Sequence, residues 1–280
     1  MRVESSFSDG NLELKFEPDK KDKEHMLTKN IKMNDNLVVF VKTNGLVTEL
    51  HPDQIALATI LICNPFVGKE LVLPCQISEF FHKAAMGVIS RYKIFENYSS
   101  DIIPMNKQNR DVPSIAFSGG ADSVAALSLM PRNTIPVFLK RPEVVGSKYD
   151  SDAAIEACYG LKQAGYDVKI IESNLEMIRD PMGFPTDLAH AVPIILMAEK
   201  LSIESISFGT IMESGYGIGH EKFYDYSESA HLRFFGNLFA AVGVHLSMPV
   251  IGISEVGTAI ICEKTPFGHF SQSCIRGTWM

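Results

Sequence analysis

The chain lacks the features that mark a membrane, secreted or nucleic-acid-binding protein. No apolar run approaches the roughly 18 residues that a membrane-spanning helix needs. The opening residues, MRVESSFSDGNLELKFEPDKKDKE, are polar and mixed in charge, unlike a signal peptide. The formal net charge of −7 argues against a broad electrostatic grip on nucleic acid. We therefore expect a cytoplasmic protein with no membrane partner and no nucleic-acid partner.

Cysteine is scarce and scattered. The five cysteines are odd in number and include no C-x-x-C pair, so we expect most of them to be reduced residues of the core. Cys262, His269 and Cys274 lie close together in the sequence and are residue types that bind Zn²⁺. A structural zinc site normally takes four ligands in tighter spacing, so spacing alone disfavours a metal there.

Apolar residues, in contrast, are plentiful. They make up 46% of the 280 residues, which is enough for the core of one large domain or of a domain with an extension. The segment 101–113 is polar and contains two prolines. We place a domain boundary there, which divides the chain into an N-terminal α+β extension, 1–110, and a second domain, 111–280.

Within the extension, apolar residues alternate over 12–16 and around 39–41, which predicts β-strands. The charged stretch 18–30 between them is interpreted as a solvated loop. A helix is predicted to begin near Pro52, and a second, amphipathic helix is predicted over 78–95 with Ser78 as its cap.

From residue 114 onward, short apolar strands alternate with helical segments. The predicted helices include 151–165, ending at a glycine C-cap, and the longer segments 186–201 and 229–246. Alternation of this kind predicts an α/β fold with a mostly parallel sheet and helices on both faces. Ligands of such sheets bind at the carboxyl ends of the strands.

The segment Ser118-Gly119-Gly120-Ala121-Asp122-Ser123 joins an apolar strand to a helical pattern. Glycines allow a tight turn and close approach of the backbone to a phosphate, and the first N–H groups of the helix would face the anion. The serine hydroxyls can add donors. Asp122 would either cap the helix or hold a cation such as Mg²⁺. The alternative is a plain Gly-Gly turn between a strand and a helix.

This segment is not a Walker loop, because no lysine follows the glycines. It resembles the SGGxDS loop of the PP-loop ATP pyrophosphatases. The resemblance implies an ATP-binding catalytic domain over 111–280, with ATP and Mg²⁺ as ligands. It implies that the loop residues cradle the departing pyrophosphate, with Asp122 and Ser123 as the catalytic candidates. Lys140, Gly209 and Thr210 follow later strands and are further nucleotide-binding candidates.

The tail, LSMPVIGISEVGTAIICEKTPFGHFSQSCIRGTW, resembles the C-terminal part of the 7-cyano-7-deazaguanine synthase (QueC) family. Cys274 matches the first cysteine of that family's zinc site, whose remaining ligands would lie beyond Met280. We therefore expect Zn²⁺ at Cys274 only in a longer chain. Residues 183–187 and the Ser254-Glu255 pair depart from the family pattern, which puts a deazapurine substrate in doubt. Family members with extensions also occur in antiphage operons, where they resemble modifiers of a protein partner.

Other polar residues admit two interpretations. Lys140 and Arg141 could meet phosphate or lie in solvent, and the glycine- and aromatic-rich segment 209–229 could be functional, through Glu213 and His220, or an ordinary surface loop. His190 lies in an apolar helical pattern and is interpreted as a hydrogen-bonded core histidine.

The sequence leaves three functions open. The leading one is an ATP-dependent C–N ligase or synthase that adenylates a carboxylate, on a small molecule or on a protein recognised by the extension, with release of pyrophosphate. The second is a PP-loop tRNA sulfurtransferase, which usually needs a catalytic cysteine pair or a cluster. The third is an ATP-binding sensor or scaffold subunit without catalysis. A homodimer stays an open alternative.

Overall fold

The computed structural model of the chain describes residues 1–95, 97–105, 110–143, 151–215 and 235–272. The strands are β1 (Arg2–Ser8), β2 (Asn11–Glu17), β3 (Lys32–Met33), β4 (Val38–Lys42), β5 (Glu70–Leu71), β6 (Ile77–Ser78), β7 (Lys93–Ile94), β8 (Tyr98–Ser99), β9 (Val112–Ala116), β10 (Ile135–Lys140), β11 (Lys169–Ser173), β12 (Arg179–Asp180), β13 (Ile203–Ser207) and β14 (His245–Ser247). The α-helices are α1 (Lys20–Thr28), α2 (Pro52–Cys63), α3 (Glu79–Val88), α4 (Ala121–Ser128), α5 (Asp152–Gln163), α6 (Val192–Met197), α7 (Met212–Gly215), α8 (Gly236–Ala241) and α9 (Glu255–Lys264).

One eight-stranded sheet organises the molecule, in the order β1-β2-β4-β11-β10-β9-β13-β14. The five strands from β11 to β14 in this order are parallel, and the first three are antiparallel. The chain moves outward from β9 through β10 to β11, and then returns to the opposite side of β9 to form β13. The gap between the carboxyl ends of β9 and β13 is therefore a topological switch point, where ligands of open α/β sheets bind.

Both faces of the sheet are covered, as the sequence predicted. Ile115 and Phe138 face a core that includes residues of α4 and α5, whereas Ala116 and Val137 on the same strands face a core that includes residues of α2 and α6. This alternation is the consequence of the two-residue period of a strand. The α/β fold class is therefore confirmed, with a mostly parallel sheet between two helical layers.

The N-terminal strands continue this sheet. β4 pairs antiparallel with β11, and the Asn174 side chain fixes the junction: its amide oxygen accepts from Phe40 N at 2.7 Å and its amide nitrogen donates to Val38 O at 2.9 Å. Lys42 and Glu172 form an ion pair of 2.6 Å across the same strand pair. The division of the chain at residue 110 stays a prediction.

The segment 18–30 was wrongly predicted as a loop, since it contains α1. Asp19 accepts from Asp22 N and Asp22 accepts from Asp19 N, both at 2.9 Å, which forms a capping box. Such reciprocal caps satisfy two N–H groups that a helix N-terminus leaves without partners. The D-x-x-D spacing was the local signal for this helix.

Three predicted helices are shorter than expected. The one begun at Ser78 ends at Val88 rather than at residue 95. The one predicted over 186–201 becomes a 3₁₀ turn followed by α6, where Pro193 occupies the first turn. In the segment 229–246 the described helix is α8, because Gly243 has a φ of +74° and β14 begins at His245. Residues 229–234 lie outside the described residues.

Candidate functional site

A cavity of about 650 Å³ opens at the carboxyl ends of the central strands. Its lining includes loop residues after β9 and β13, the end of β10, and side chains of α9. The predicted site residues found there are Ser118, Gly120, Ala121, Asp122, Ser123, Gly209 and Thr210. A volume of this size is typical of a site for a small molecule or cofactor.

The backbone of the loop after β9 requires its first glycine. Gly119 has a φ of +77°, and a Cβ at this position would lie 3.2 Å from Ala154 Cα. The turn directs the chain into α4, whose N-cap is Gly120 and whose first turn has no side-chain cap. Within the described residues, no side chain accepts from the N–H groups of Ala121, Asp122 and Ser123, an arrangement that suits an anion at a helix N-terminus.

The two serine hydroxyls of the loop contact each other. Ser123 Oγ donates to Gly120 O at 2.8 Å and lies 3.2 Å from Ser118 Oγ, while Gly120 N donates to Ser118 Oγ at 3.3 Å. Gln272 N donates to Gly119 O at 2.8 Å and pins the turn from outside. The hydroxyls are thus held beside the start of α4, and they can turn to donate to an anion bound there.

Asp122 does not cap α4, so that interpretation of its role is wrong. Its carboxylate Oδ1 instead accepts a hydrogen bond of 2.7 Å from Thr258 Oγ1 on α9. Both residues line the cavity, and Thr258 is buried. One helical turn along α9, the thiol of Cys262 donates to Ala121 O at 3.1 Å. No local pattern indicated Thr258, because it lies 136 residues from its partner.

The end of β13 approaches the loop so closely that only glycine fits there. A Cβ on Gly209 would lie 2.8 Å from both Asp122 C and Ser123 N. Thr210 follows on the same side of the cavity. Gly209 therefore brings the two strands of the switch point together around the loop.

The last residue of β10, Lys140, and the residue after it, Arg141, have different surroundings. Arg141 is buried at the cavity and its Nε donates to Glu176 Oε2 in an ion pair. Lys140 is half-buried and is not among the residues that line the cavity. A nucleotide contact by Lys140 stays a prediction. Glu176 was missed because it lies in a 3₁₀ turn after β11, outside any motif.

Part of the cavity wall is aromatic. The His190 ring lies 5.1 Å from the Phe184 ring and meets the Phe208 ring edge-on at 4.8 Å. Asp187 also lines this part. His190 was interpreted as a core residue, but it lines the cavity. The cavity therefore combines a polar end at the loop with an aromatic wall, and it could accept a second substrate beside a nucleotide.

Other candidates lie elsewhere or outside the described residues. Cys274 and His220 fall in segments that the structure does not describe. Glu213 Oε1 accepts from Glu255 N at 3.3 Å, at the start of α9. Burial raises the pKa of the Cys262 thiol, which disfavours the thiolate that a metal ligand requires. Within the described ranges, no group of three His, Cys, Asp or Glu residues could hold a metal ion.

The polar groups that line the cavity are those that a nucleoside triphosphate and its metal ion require. The uncapped start of α4 and the two serine hydroxyls supply donors for phosphate oxygens, and the Asp122 carboxylate is an oxygen ligand of the kind that Mg²⁺ prefers.

None of the helices in the described ranges is long and apolar enough to cross a membrane. A cytoplasmic location stays a prediction.

Fold and site together define an α/β protein with a glycine-containing strand–loop–helix at its topological switch point. A family model described as a family of unknown function, DUF6395, matches residues 234–280. No match was found among curated proteins. A solved structure, the U34-tRNA thiolase NcsA from Methanococcus maripaludis with its [4Fe-4S] cluster, is 18% identical over 66% of this chain, with a TM-score of 0.36. The chain spans 62% of that protein, and a likeness this distant carries no argument about function.

Proposed function

We propose that this protein is an ATP-dependent enzyme of the PP-loop type, which transfers the adenylate of ATP to a substrate carboxylate and releases pyrophosphate. The observation that carries the proposal is the uncapped start of α4 behind the SGGADS loop, at the switch point of the sheet and open to the cavity. A helix N-terminus in this position favours a phosphate group.

The proposed reaction has two steps. A carboxylate oxygen of the substrate attacks the α-phosphorus of ATP, and the bond to the oxygen that bridges the α- and β-phosphates breaks. Pyrophosphate leaves with that oxygen and its electron pair. The nitrogen of ammonia or an amine then attacks the acyl carbon, loses a proton, and AMP leaves with the electron pair of the former anhydride bond. The enzyme contributes positioning and charge stabilisation.

Residues of the loop would hold the leaving group. The N–H groups of 119–123 and the hydroxyls of Ser118 and Ser123 would donate to the pyrophosphate oxygens. Asp122 would hold Mg²⁺, which neutralises negative charge on the leaving pyrophosphate. Gly209 and Thr210 would close the nucleotide site from β13, and Lys140 would lie near the adenosine.

The substrate is proposed to be a deazapurine-like acid or a carboxylate of a protein partner. The aromatic wall formed by Phe184, His190 and Phe208 supports a second binding position beside the nucleotide. An amide or a conjugate would follow from the activated acyl group. A nitrile, as in a QueC-type reaction, would require a second ATP that adenylates the amide oxygen, so that this oxygen leaves with AMP as the nitrogen loses its two protons. Recognition of a protein by the N-terminal extension, zinc at Cys274 in a longer chain, and a homodimer stay proposals.

Sulfur transfer to tRNA is the competing reaction. It requires a reactive thiolate or a cluster, and among the described cysteines burial raises the pKa of Cys158 to about 12 and raises that of Cys63 as well. A buried thiol that resists ionisation is a poor nucleophile. Cys63 and Cys158 are therefore poorly suited to carry sulfur.

The decisive measurement is the release of pyrophosphate and AMP from ATP, with ammonia or amines and a panel of heteroaromatic acids and protein carboxylates. Release of pyrophosphate and AMP in equal amounts, only when a carboxylate is present, supports the proposal. AMP formation that needs tRNA and a sulfur donor would replace it with sulfur transfer. Tight ATP binding without turnover would indicate a sensor, and no ATP binding at millimolar concentration would reject the nucleotide site itself.

A further inference from the structure

The helix α9 contacts the start of α4 through two side chains one turn apart. Thr258 reaches the Asp122 carboxylate, and Cys262 reaches the carbonyl oxygen of Ala121. Residues at i and i+4 lie on the same face of a helix, so both contacts come from one surface of α9. The first two residues of α4 are therefore held from the same side.

The hydroxyl of Thr258 has two acceptors and one proton. Its Oγ1 lies 2.7 Å from Asp122 Oδ1 and 3.0 Å from Glu255 O, which is three residues earlier in α9. The contact to the carboxylate is the shorter one, and a hydrogen bond to an ionised acceptor is about twice as strong as a neutral one. The Thr258 hydroxyl therefore donates its proton to the Asp122 carboxylate.

This bond leaves the other carboxylate oxygen of Asp122 available. Oδ2 makes no hydrogen bond to any residue in the described part of the chain, and Asp122 lines the cavity. Holding one oxygen restricts the rotation of the side chain and fixes where the second oxygen points. A metal ligand is commonly oriented in this way by a partner in its surroundings.

We propose that Thr258 is a positioning residue that orients Asp122 toward the magnesium ion of the bound nucleotide. This inference rests on the proposed function, because it assumes that Mg·ATP binds at the loop. It assigns a role in nucleotide binding to a threonine of α9, 136 residues from the loop. Thr258 itself contacts neither the nucleotide nor the metal in this proposal.

The test compares ATP binding by calorimetry in the presence of Mg²⁺ and in the presence of EDTA. Thr258→Val removes the hydroxyl while nearly conserving shape, and Thr258→Ser keeps it. We expect Thr258→Val to weaken Mg·ATP binding about tenfold, as the loss of a partner that orients a metal ligand typically does. Binding of ATP in EDTA should stay unchanged, and Thr258→Ser should bind Mg·ATP like the wild type.

A matched control is Thr59→Val. Thr59 is fully buried in α2, and its hydroxyl has no hydrogen-bond partner among the residues that the structure describes. The same chemical change there should leave both affinities unchanged, while melting curves report whether each variant folds.

Each other outcome has a definite meaning. Equal Mg·ATP affinity in Thr258→Val and wild type would overturn the inference, as would an equal loss with and without Mg²⁺, which indicates a purely structural role. If the wild type binds Mg·ATP but never releases pyrophosphate, the proposed reaction fails while the role of Thr258 is still decided by these affinities. If the wild type binds no ATP, both fail together.

Discussion

Two aspartates occupy the same position in two helices of this molecule and have different surroundings. Asp53 is the second residue of α2, and Asp122 is the second residue of α4. Asp53 is fully buried, and both of its oxygens accept from Ser78, at 2.8 Å from the backbone N–H and 2.7 Å from the hydroxyl. Asp122 is half-buried, and within the described ranges its carboxylate has one hydrogen-bond partner, Thr258.

The caps of the two helices differ in the same sense. The ring of His51 accepts from Asp53 N at 3.1 Å and caps α2, whereas the N-cap of α4, Gly120, has no side chain to form such a bond. The N-terminal region thus uses its polar groups for its own stability. Among the described residues, the loop after β9 leaves N–H groups at the start of α4 and one oxygen of Asp122 without a side-chain partner. These groups therefore add less to stability, and in the proposed function they bind the nucleotide and its metal ion.

The largest expected effect is the loss of ATP binding in Gly119→Val. A β-branched residue is strained at a φ of +77°, and its Cβ would lie 3.2 Å from Ala154 Cα, so the turn that carries the N–H groups is displaced. The control is Gly45→Val, since Gly45 has a φ of +72° and no atom within 4 Å of an added Cβ. Calorimetry should find no ATP binding in the first variant and wild-type binding in the second. Unchanged ATP affinity in a folded Gly119→Val protein would show that this loop does not bind the nucleotide.

The next effect concerns Asp122. Asp122→Asn keeps the shape and removes the charge that would hold Mg²⁺, so pyrophosphate release should fall about 100-fold while the free energy of unfolding changes little. Urea unfolding and a pyrophosphate assay on the same preparation give both values. Wild-type turnover in this variant would leave Asp122 with a structural role alone.

The same substitution at Asp53 should give the opposite result. The two oxygens of Asp53 each accept one hydrogen bond from Ser78, one from its N–H and one from its hydroxyl. An amide replaces one of these oxygens by an NH₂ group, which cannot accept. The Ser78 hydroxyl oxygen already accepts from Phe81 N at 3.0 Å. A buried polar group then lacks a partner, so we expect Asp53→Asn to lower the free energy of unfolding by about 2 kcal/mol. ATP affinity should stay at the wild-type value. A loss of affinity equal to that of Asp122→Asn would show that the two aspartates are not functionally distinct.

The smallest expected effect is a pH dependence of stability that originates in the N-terminal region. Burial, and after it the charge of Arg91, lowers the pKa of His25 in the folded protein. The unfolded state therefore binds a proton at a higher pH than the folded state, and stability falls as pH drops below about 6.5, the ordinary pKa of histidine. Urea midpoints at pH 7.5 and 5.5 should differ less in His25→Gln than in wild type. An equal difference in both proteins would assign the effect to other groups.

Local sequence was sufficient for the fold class and for the loop. Strand–helix alternation after residue 114 predicted the parallel sheet, and the SGGADS segment predicted the strand–loop–helix. Where prediction failed, the missed signals were also local: the D-x-x-D capping box of α1 and the positive-φ Gly243 that precedes β14. Turns and caps depend on neighbouring residues, which is why the sequence could have indicated both.

The pairing of polar groups was decided by tertiary structure. Thr258 meets Asp122, Arg141 meets Glu176, and Asn174 meets the backbone of β4, across separations of 136, 35 and up to 136 residues. These contacts depend on the order of the strands and on which helix packs beside α4. The sequence by itself determined the strand–loop–helix at the SGGADS segment. The fold alone determined which side chains surround that loop, because residues far apart in the chain meet only after the sheet has formed.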